Sequence, residues 1–397
     1  MFSDRSEKIR FMEAQRGLNH PQPVLQEWIQ KDFGVSGFPR SIHVAGTNGK
    51  GSTITWLEVL LKAKGLSTGS FTSPHLLEHR ERLRINGTPI SNDQWESLFD
   101  ESAERFIERQ MTMFEMDLFM ACSLFQNEQP DWVLMETGMG GERDATTALD
   151  YPVAIVTQTG MDHMAFLGST KEEIACSKAG VIKPSMQIIT AERNPACLAV
   201  YKERAARQNA RLTVIPEEID HEEDFWNPAL PAYQKDNFLC AKTALEQAGF
   251  SFSVDELRQA VQDFFWPARF QILRADPLLL LDGAHNGEGI DALCRSLKQS
   301  PWQIEQIYFS VLADKQADRM IDQLRSLGAR LTLVAFESYR LGDLEKLAAR
   351  HHLEQIDFET MIKQLPSEQE NTLICGSLYF AGDVLKALKA MHGKESR

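Results

Sequence analysis

The residues best placed to do chemistry in this 397-residue chain lie in Gly46-Thr-Asn-Gly-Lys-Gly-Ser-Thr53, a glycine-rich turn between an apolar run and a helical pattern. Glycines let the backbone approach a ligand closely, and N–H groups gathered at the start of a helix form a seat for phosphate. Gly46, Thr47, Asn48, Gly49 and Gly51 supply that backbone. Lys50 can reach the outer phosphates, and Ser52 and Thr53 add hydroxyls. The spacing is not G-x-x-x-x-G-K-[ST]: Val44 takes the first glycine place and Gly51 the Ser/Thr place. A capped glycine turn is the plain alternative, but the strand–turn–helix context favours nucleotide phosphate. Glu136 closes another apolar run and leads into Thr-Gly-Met-Gly-Gly141. In α/β sheets ligands gather at the carboxyl ends of strands, and Mg²⁺ takes oxygen donors while keeping several waters.

The elements that must position these groups repeat one pattern, a short apolar run followed by a helical stretch. Strands are expected at Ser41–Ala45, Trp132–Met135, Val153–Thr157 and Gln187–Thr190. A helix is expected over Ser52–Lys64, with Ile54, Leu57, Leu60 and Leu61 on one face. Strands alternating with helices predict a mostly parallel sheet covered on both faces. The register changes near Phe265-Trp-Pro-Ala-Arg-Phe270, and a second βα series is expected to start at Leu278–Leu281. Further strands are expected at Gln306–Val311, Leu331–Phe336 and Thr372–Cys375. Length alone favours two domains. We place the boundary near residue 272, giving domains 1–272 and 273–397.

Composition narrows the partners. A net charge of −14 and a pI near 5.3 disfavour a general nucleic-acid binder, whose affinity comes from cationic side chains on phosphate. Six of the acids crowd into Glu217–Asp224, read as a solvated loop. The six cysteines form no C-x-x-C pair, and the N-terminus lacks a signal-peptide pattern. No run of about 18 apolar residues suggests a membrane span. A reduced, cytoplasmic, monomeric protein is expected, with partners that are small molecules rather than nucleic acid or membrane.

The variant loop, read as His43-Val-Ala-Gly-Thr-Asn-Gly-Lys-Gly-Ser-Thr53, resembles the ATP loop of folylpolyglutamate synthases and dihydrofolate synthases, members of the Mur ligase superfamily. The resemblance continues in order through Thr72-Ser-Pro-His-Leu76, Glu81-Arg82, Arg84-Ile-Asn-Gly87 and Pro89-Ile-Ser91. It runs on through Glu136-Thr-Gly-Met-Gly-Gly141, Asp144-Ala-Thr146, Asp162-His163, Leu167-Gly168 and Lys178-Ala-Gly180. It ends with Ala268-Arg-Phe270, Asp282-Gly-Ala-His-Asn286 and Gly376-Ser-Leu-Tyr379. The resemblance implies a P-loop ATPase-like α/β domain with a mostly parallel sheet, plus a smaller C-terminal α/β domain of Rossmann-like type. It implies ATP-driven amide ligation of L-glutamate to a folate or dihydropteroate through an acyl phosphate.

By resemblance, Ser73 and Glu136 hold one Mg²⁺, and Glu136 with His163 a second. Lys178 carries a carbamate beside that second ion, although Ser177 stands where the family usually has glutamate. A carbamate needs an unprotonated amine, so the site must depress the lysine pKa. Taken alone, a lysine before Ala-Gly reads as a solvated helix-end residue. Asn237 is matched to the family asparagine near adenine. Arg269, Asp282 and His285 are matched to residues that close on the nucleotide. The matched catalytic set is therefore Lys50, Glu136, His163 and Lys178.

The acceptor side matches less well. Thr112-Met-Phe-Glu115 follows the family segment, though Thr112 and Phe114 also suit cap and core roles. Arg143 replaces an apolar residue before Asp144-Ala145-Thr146. The family's early Gly-Leu-(Glu/Asp)-Arg segment reads Gly17-Leu-Asn-His-Pro-Gln-Pro23 here. Ligation is thus better specified than its acceptor. A Mur-type ligase with a non-folate acceptor and a nucleotide-binding regulator without ligase activity stay open.

Overall fold

The computed structural model describes residues 2, 4–217, 225–338 and 340–395, without the side chains of 392–395. Most of the acidic run, residues 218–224, lies outside the described residues. The chain forms two compact units, residues 1–227 with 236–265, and residues 228–235 with 266–397.

The first unit holds eight strands: β1 (Ser41–Ala45), β2 (Thr68–Phe71), β3 (Leu83–Ile85), β4 (Thr88–Pro89), β5 (Trp132–Glu136), β6 (Val153–Val156), β7 (Gln187–Thr190) and β8 (Arg211–Val214). Their order is β4-β3-β2-β5-β1-β6-β7-β8. The six strands from β2 to β8 in that order are parallel, while β3 and β4 add an antiparallel edge. Every residue of β1, β5 and β6 is buried, as a sheet covered on both faces requires. The core at this sheet includes Phe71, Met135 and Val156, with Phe119 and Phe125 from helix Met113–Glu128. From β1 the chain runs to β2 on one side and later returns through β5 to β6 on the other. The crevice outside the carboxyl ends of β1, β5 and β6 is therefore a topological switch point.

The second unit is a six-stranded sheet: β9 (Gln271–Ala275), β10 (Leu278–Leu281), β11 (Gln306–Phe309), β12 (Arg330–Ala335), β13 (Glu354–Asp357) and β14 (Thr372–Cys375). The order is β13-β12-β11-β14-β10-β9, parallel except for the β9/β10 hairpin. The second series therefore starts one strand earlier than Leu278. Sequence-expected strand ends move by one or two residues, as at β11, which stops at Phe309 rather than Val311. The helix after β1 starts at Lys50, not Ser52, because Gly49 adopts φ 86° and ends the loop there. Among the described residues, no helix is long and apolar enough to cross a membrane.

Candidate active site

The Gly46–Thr53 loop is fixed by main-chain and threonine hydroxyl contacts to residues 157–160. Thr47 N–H donates to Gln158 O at 2.8 Å, and Thr47 Oγ1 accepts from Gly160 N–H at 2.8 Å. Thr157 Oγ1 donates to Asn48 O at 2.6 Å. Gly46 has no room for a side chain: a Cβ there would stand 1.7 Å from Thr157 Oγ1. A Cβ on Gly49 would stand 2.3 Å from Asn237 Oδ1, so Asn237 lies directly against the loop. Ser52 and Thr53 are buried in the first helical turns, where Thr53 Oγ1 donates to Gly49 O at 2.9 Å.

Lys50 Nζ donates to Gly46 O at 3.3 Å and lies 3.8 Å from Glu136 Oε1. Glu136 is the last residue of β5 and only 3% exposed. Its Oε2 accepts the Ser73 backbone N–H at 3.0 Å. Three residues from the ends of separate strand–loop units therefore meet here. Among the described residues, no group of three or more His, Cys, Asp and Glu side chains is placed to hold a metal ion. A cation at this edge would take few protein oxygens, which suits an ion that retains water.

Lys178 is not a solvated helix-end residue. It sits near the end of helix Lys171–Ala179 at 3% exposure. Burial pushes its pKa down to about 7, assisted by the like charge of Lys50 and opposed by Asp162, Asp144 and Glu192. A large fraction of the amine is thus neutral at physiological pH. Ser177 fits under the glycine loop: a Cβ on Gly140 would stand 2.7 Å from Ser177 Oγ, and Ser177 O accepts Glu142 N–H at 2.9 Å. His163 is exposed, with φ 52°, at the head of the four-residue helix Met164–Leu167. Its backbone N–H donates to Asp162 Oδ1 at 2.8 Å.

The residues that the sequence matches to the acceptor side lie beyond this loop. Thr112 caps helix Met113–Glu128 in a capping box with Glu115. Phe114 lies against Phe71, ring centroids 5.5 Å apart, and covers Gly138. Arg143 is exposed, whereas Asp144 and Ala145 are buried. Asp144 accepts from Met139 N–H at 2.9 Å and from Thr146 Oγ1 at 2.5 Å; burial still raises its pKa. Behind it, His43 Nε2 meets Thr146 Oγ1 at 2.8 Å and stacks on Tyr151. Burial, with the charge of Lys183, lowers the His43 pKa to about 3, so this imidazole is neutral.

In the second unit Arg269 stands between Ala268 (φ 53°) and Phe270 (φ 50°), two non-glycine residues in the left-handed region. Such backbone costs on the order of 1–3 kcal/mol per residue and persists only where surrounding contacts fix it. The Asp282 carboxylate is one such contact. It accepts Phe270 N–H, Ala284 N–H and the Tyr233 hydroxyl, each at 2.8 Å. Burial raises the Asp282 pKa, with the Arg269 charge opposing. His285 Nδ1 lies 2.9 Å from Gly283 O, a carbonyl that can only accept, so Nδ1 carries a proton.

A model of the Mur ligase middle domain matches residues 44–252. The dihydrofolate synthase/folylpolyglutamate synthase of Bacillus subtilis (strain 168) is 31% identical over 391 residues, covering 88% of this chain and 90% of that protein. The chain belongs to this synthase family. The folylpolyglutamate synthase of Lacticaseibacillus casei is also 31% identical, over 74% of this chain and 76% of its own length. The crystal structure of the bifunctional folylpolyglutamate synthase/dihydrofolate synthase of Yersinia pestis c092, complexed with AMPPNP and Mn ion, aligns with a TM-score of 0.87. It is 27% identical, and the alignment covers 98% of both chains.

The structure gives partners around Thr112, Arg143 and Asp144 to four residues that the sequence quoted only within segments and assigned no role: Asn19, His20, Gln22 and Glu115. Asn19 Nδ2 donates to Arg143 O at 3.1 Å, and Asn19 Oδ1 accepts from Thr112 Oγ1 at 3.1 Å. Gln22 Nε2 donates to Asp144 O at 2.6 Å. Glu115 is completely buried beneath His20. The sequence named Glu115 only as the end of the Thr112–Glu115 segment, whose T-x-x-E pattern announces a helix start.

Proposed function

We propose that this chain is an ATP-dependent ligase that joins L-glutamate to the γ-carboxylate of a folate, with dihydropteroate as a further acceptor. The observation that carries the reading is the meeting of Lys50, Glu136 and Ser73 at the carboxyl edge of a parallel sheet. Family membership supplies the reaction class. In the ligation, an acceptor carboxylate oxygen attacks the γ-phosphorus of ATP and ADP leaves. The L-glutamate amine then attacks the acyl carbon, and phosphate leaves with one oxygen that began in the carboxylate. Lys50 would draw the outer phosphates toward the loop, while backbone N–H groups of Gly46–Thr53 seat the remainder.

The hard oxygens of Ser73 and Glu136 suit a divalent cation, and the Yersinia relative was solved with Mn. Bound here, such an ion would supply Lewis-acid charge to the triphosphate. We assign Ser73 and Glu136 to one Mg²⁺, and Glu136, His163 and a carbamate on Lys178 to a second. The depressed Lys178 pKa supports the carbamate, since a neutral amine adds CO2 with loss of one proton. Asn237, Arg269, Asp282 and His285 are assigned to the nucleotide, and Thr112, Phe114, Arg143, Asp144 and Ala145 to the acceptor. On this reading residues 1–272 serve as the ATP-binding domain of Mur ligase central type and residues 273–397 as the C-terminal domain. We assign the protein to the cytoplasm as a monomer on the same reading, and its six cysteines are free.

The test is ADP release by the purified protein with MgATP. Release is expected only when L-glutamate and a pteridine-type acceptor are both present. Silence with both tetrahydrofolate and dihydropteroate, beside turnover with another carboxylate, would reject the folate assignment.

A further inference from the structure

Glu192 is a buried acid of the first unit to which the proposed chemistry gives no part. It stands two residues beyond the end of β7 at 3% exposure. Burying a carboxylate is costly unless its oxygens are paired, and here both are. Oε1 accepts Arg193 N–H at 3.0 Å and Asn194 N–H at 2.8 Å, and Oε2 accepts Thr159 N–H at 2.8 Å. The first two bonds shape the corner into helix Pro195–Arg207, which Asn194 caps. The third leaves that corner and takes hold of the segment after β6.

That segment is gripped from two sides. Thr157, Gln158 and Gly160 face the glycine loop. Thr157 Oγ1 donates to Asn48 O at 2.6 Å, Gln158 O accepts Thr47 N–H at 2.8 Å, and Gly160 N–H donates to Thr47 Oγ1 at 2.8 Å. Thr159, in their midst, turns its N–H to Glu192 and its hydroxyl to the Tyr201 hydroxyl, 2.6 Å away. Tyr201 lies fully buried on helix Pro195–Arg207. The glycine loop therefore leans on a segment whose far side is held by one carboxylate and one phenol. The three groups that Glu192 receives are all N–H donors, so both of its oxygens must accept.

We propose that Glu192 is a positioning residue for the phosphate loop: by holding Thr159 it keeps residues 157–160 against Thr47 and Asn48 before nucleotide arrives. The inference rests on the proposed nucleotide reading of Gly46–Thr53 and deepens it by naming what preorganises that loop. A loop in place only part of the time binds with an apparent affinity reduced by that fraction. Loosening the grip on Thr159 therefore weakens nucleotide binding and leaves the other substrates alone.

Glu192→Gln tests this with little change of shape, because an amide has one oxygen and one NH2. Turned to keep the two bonds of the corner, it presents NH2 to Thr159 N–H, donor against donor, and the grip on the segment is lost. The calorimetric Kd for ADP with Mg²⁺ and the ATP KM in the ADP-release assay are each expected to rise about tenfold. The KM values for acceptor and L-glutamate should not move. Tyr201→Phe removes the second grip while keeping the ring in the core, and should raise the same two constants about threefold. A carboxylate that only stabilises the fold would lower Tm and leave both constants unchanged, or shift all three KM values together. Either result in folded E192Q overturns the inference. A further readout needs no variant: by hydrogen exchange resolved to single amides, Thr159 and Gly160 of the wild type are expected to be protected without nucleotide. Rapid exchange there that slows only when ADP and Mg²⁺ are added overturns the inference while leaving the nucleotide reading intact. Wild-type protein that binds no ADP overturns both.

Discussion

The regions of the first unit that we assign to nucleotide and to acceptor differ in how the chain supplies them. The region assigned to nucleotide is one continuous run, Gly46–Thr53, held by a single neighbouring segment through Thr47 N–H to Gln158 O, Thr157 Oγ1 to Asn48 O and Gly160 N–H to Thr47 Oγ1. Glycine is demanded there because Thr157 and Asn237 occupy the space a side chain would need. On the acceptor side, residues 19–22, 112–115 and 138–144 come from separate parts of the chain. They are tied by side-chain-to-backbone bonds, among them Gln22 to Asp144 O and Asn19 to Arg143 O. A site of the first kind tolerates little and changes little. A site of the second kind can be altered one side chain at a time without disturbing the phosphates.

That contrast can be broken in a graded way. The largest effect is expected from Glu136→Gln, which removes charge from the carboxylate between Lys50 and Ser73 and should lower kcat about 10³-fold. A loss below tenfold in ADP release would mean that chemistry does not occur at this edge. Next comes Lys178. Its pKa falls from an ordinary 10.5 to about 7, so the amine is cationic below about pH 7 and neutral above it. A carbamate forms only from the neutral amine, so wild-type activity should fall as pH drops from 8 to 6. Added bicarbonate should restore part of it, and Lys178→Gln should lose about 10²-fold in kcat without responding to bicarbonate, in line with loss of one electrostatic group. Bicarbonate-independent activity across that range would remove the carbamate.

Gly49→Ala should raise the ATP KM about tenfold, a loss of roughly 1.4 kcal/mol, while sparing the acceptor KM. The cause is the left-handed φ of 86° together with the 2.3 Å approach of Asn237. The smallest effect belongs to Asn19→Ala, which deletes two neutral hydrogen bonds on the acceptor side. Each is worth about 0.5–1.5 kcal/mol, so the acceptor KM should rise several-fold and the ATP KM should stay put. If both KM values moved together in either variant, the two sides would not be separable as described.

The same contrast explains what was legible in the sequence. β1, β5, β6, β7, β10 and β14 were visible because each is a short apolar run buried in a sheet. β2 was not: its Thr-Gly-Ser-Phe reads as a turn, and Gly69 is there because Phe125 and Pro130 press against it. β13, Glu-Gln-Ile-Asp, and β8 lie at sheet edges where exposure erases the pattern. Lys50 and Glu136 could be read from the loops they close. The burial of Lys178 could not, because local sequence does not report that the Glu136–Gly141 loop folds over its helix. Nor did Gly17–Pro23 show its destination, since its partners lie about a hundred residues away along the chain.

The most direct test of the account is the fate of one oxygen atom. With acceptor labelled by 18O in its reacting carboxylate, L-glutamate and unlabelled MgATP, mass spectrometry of the released phosphate should find one 18O per product amide formed. That transfer is the signature of an acyl phosphate made at the Lys50–Glu136 edge and opened by the amine. Phosphate free of 18O, with amide product accumulating, would contradict it.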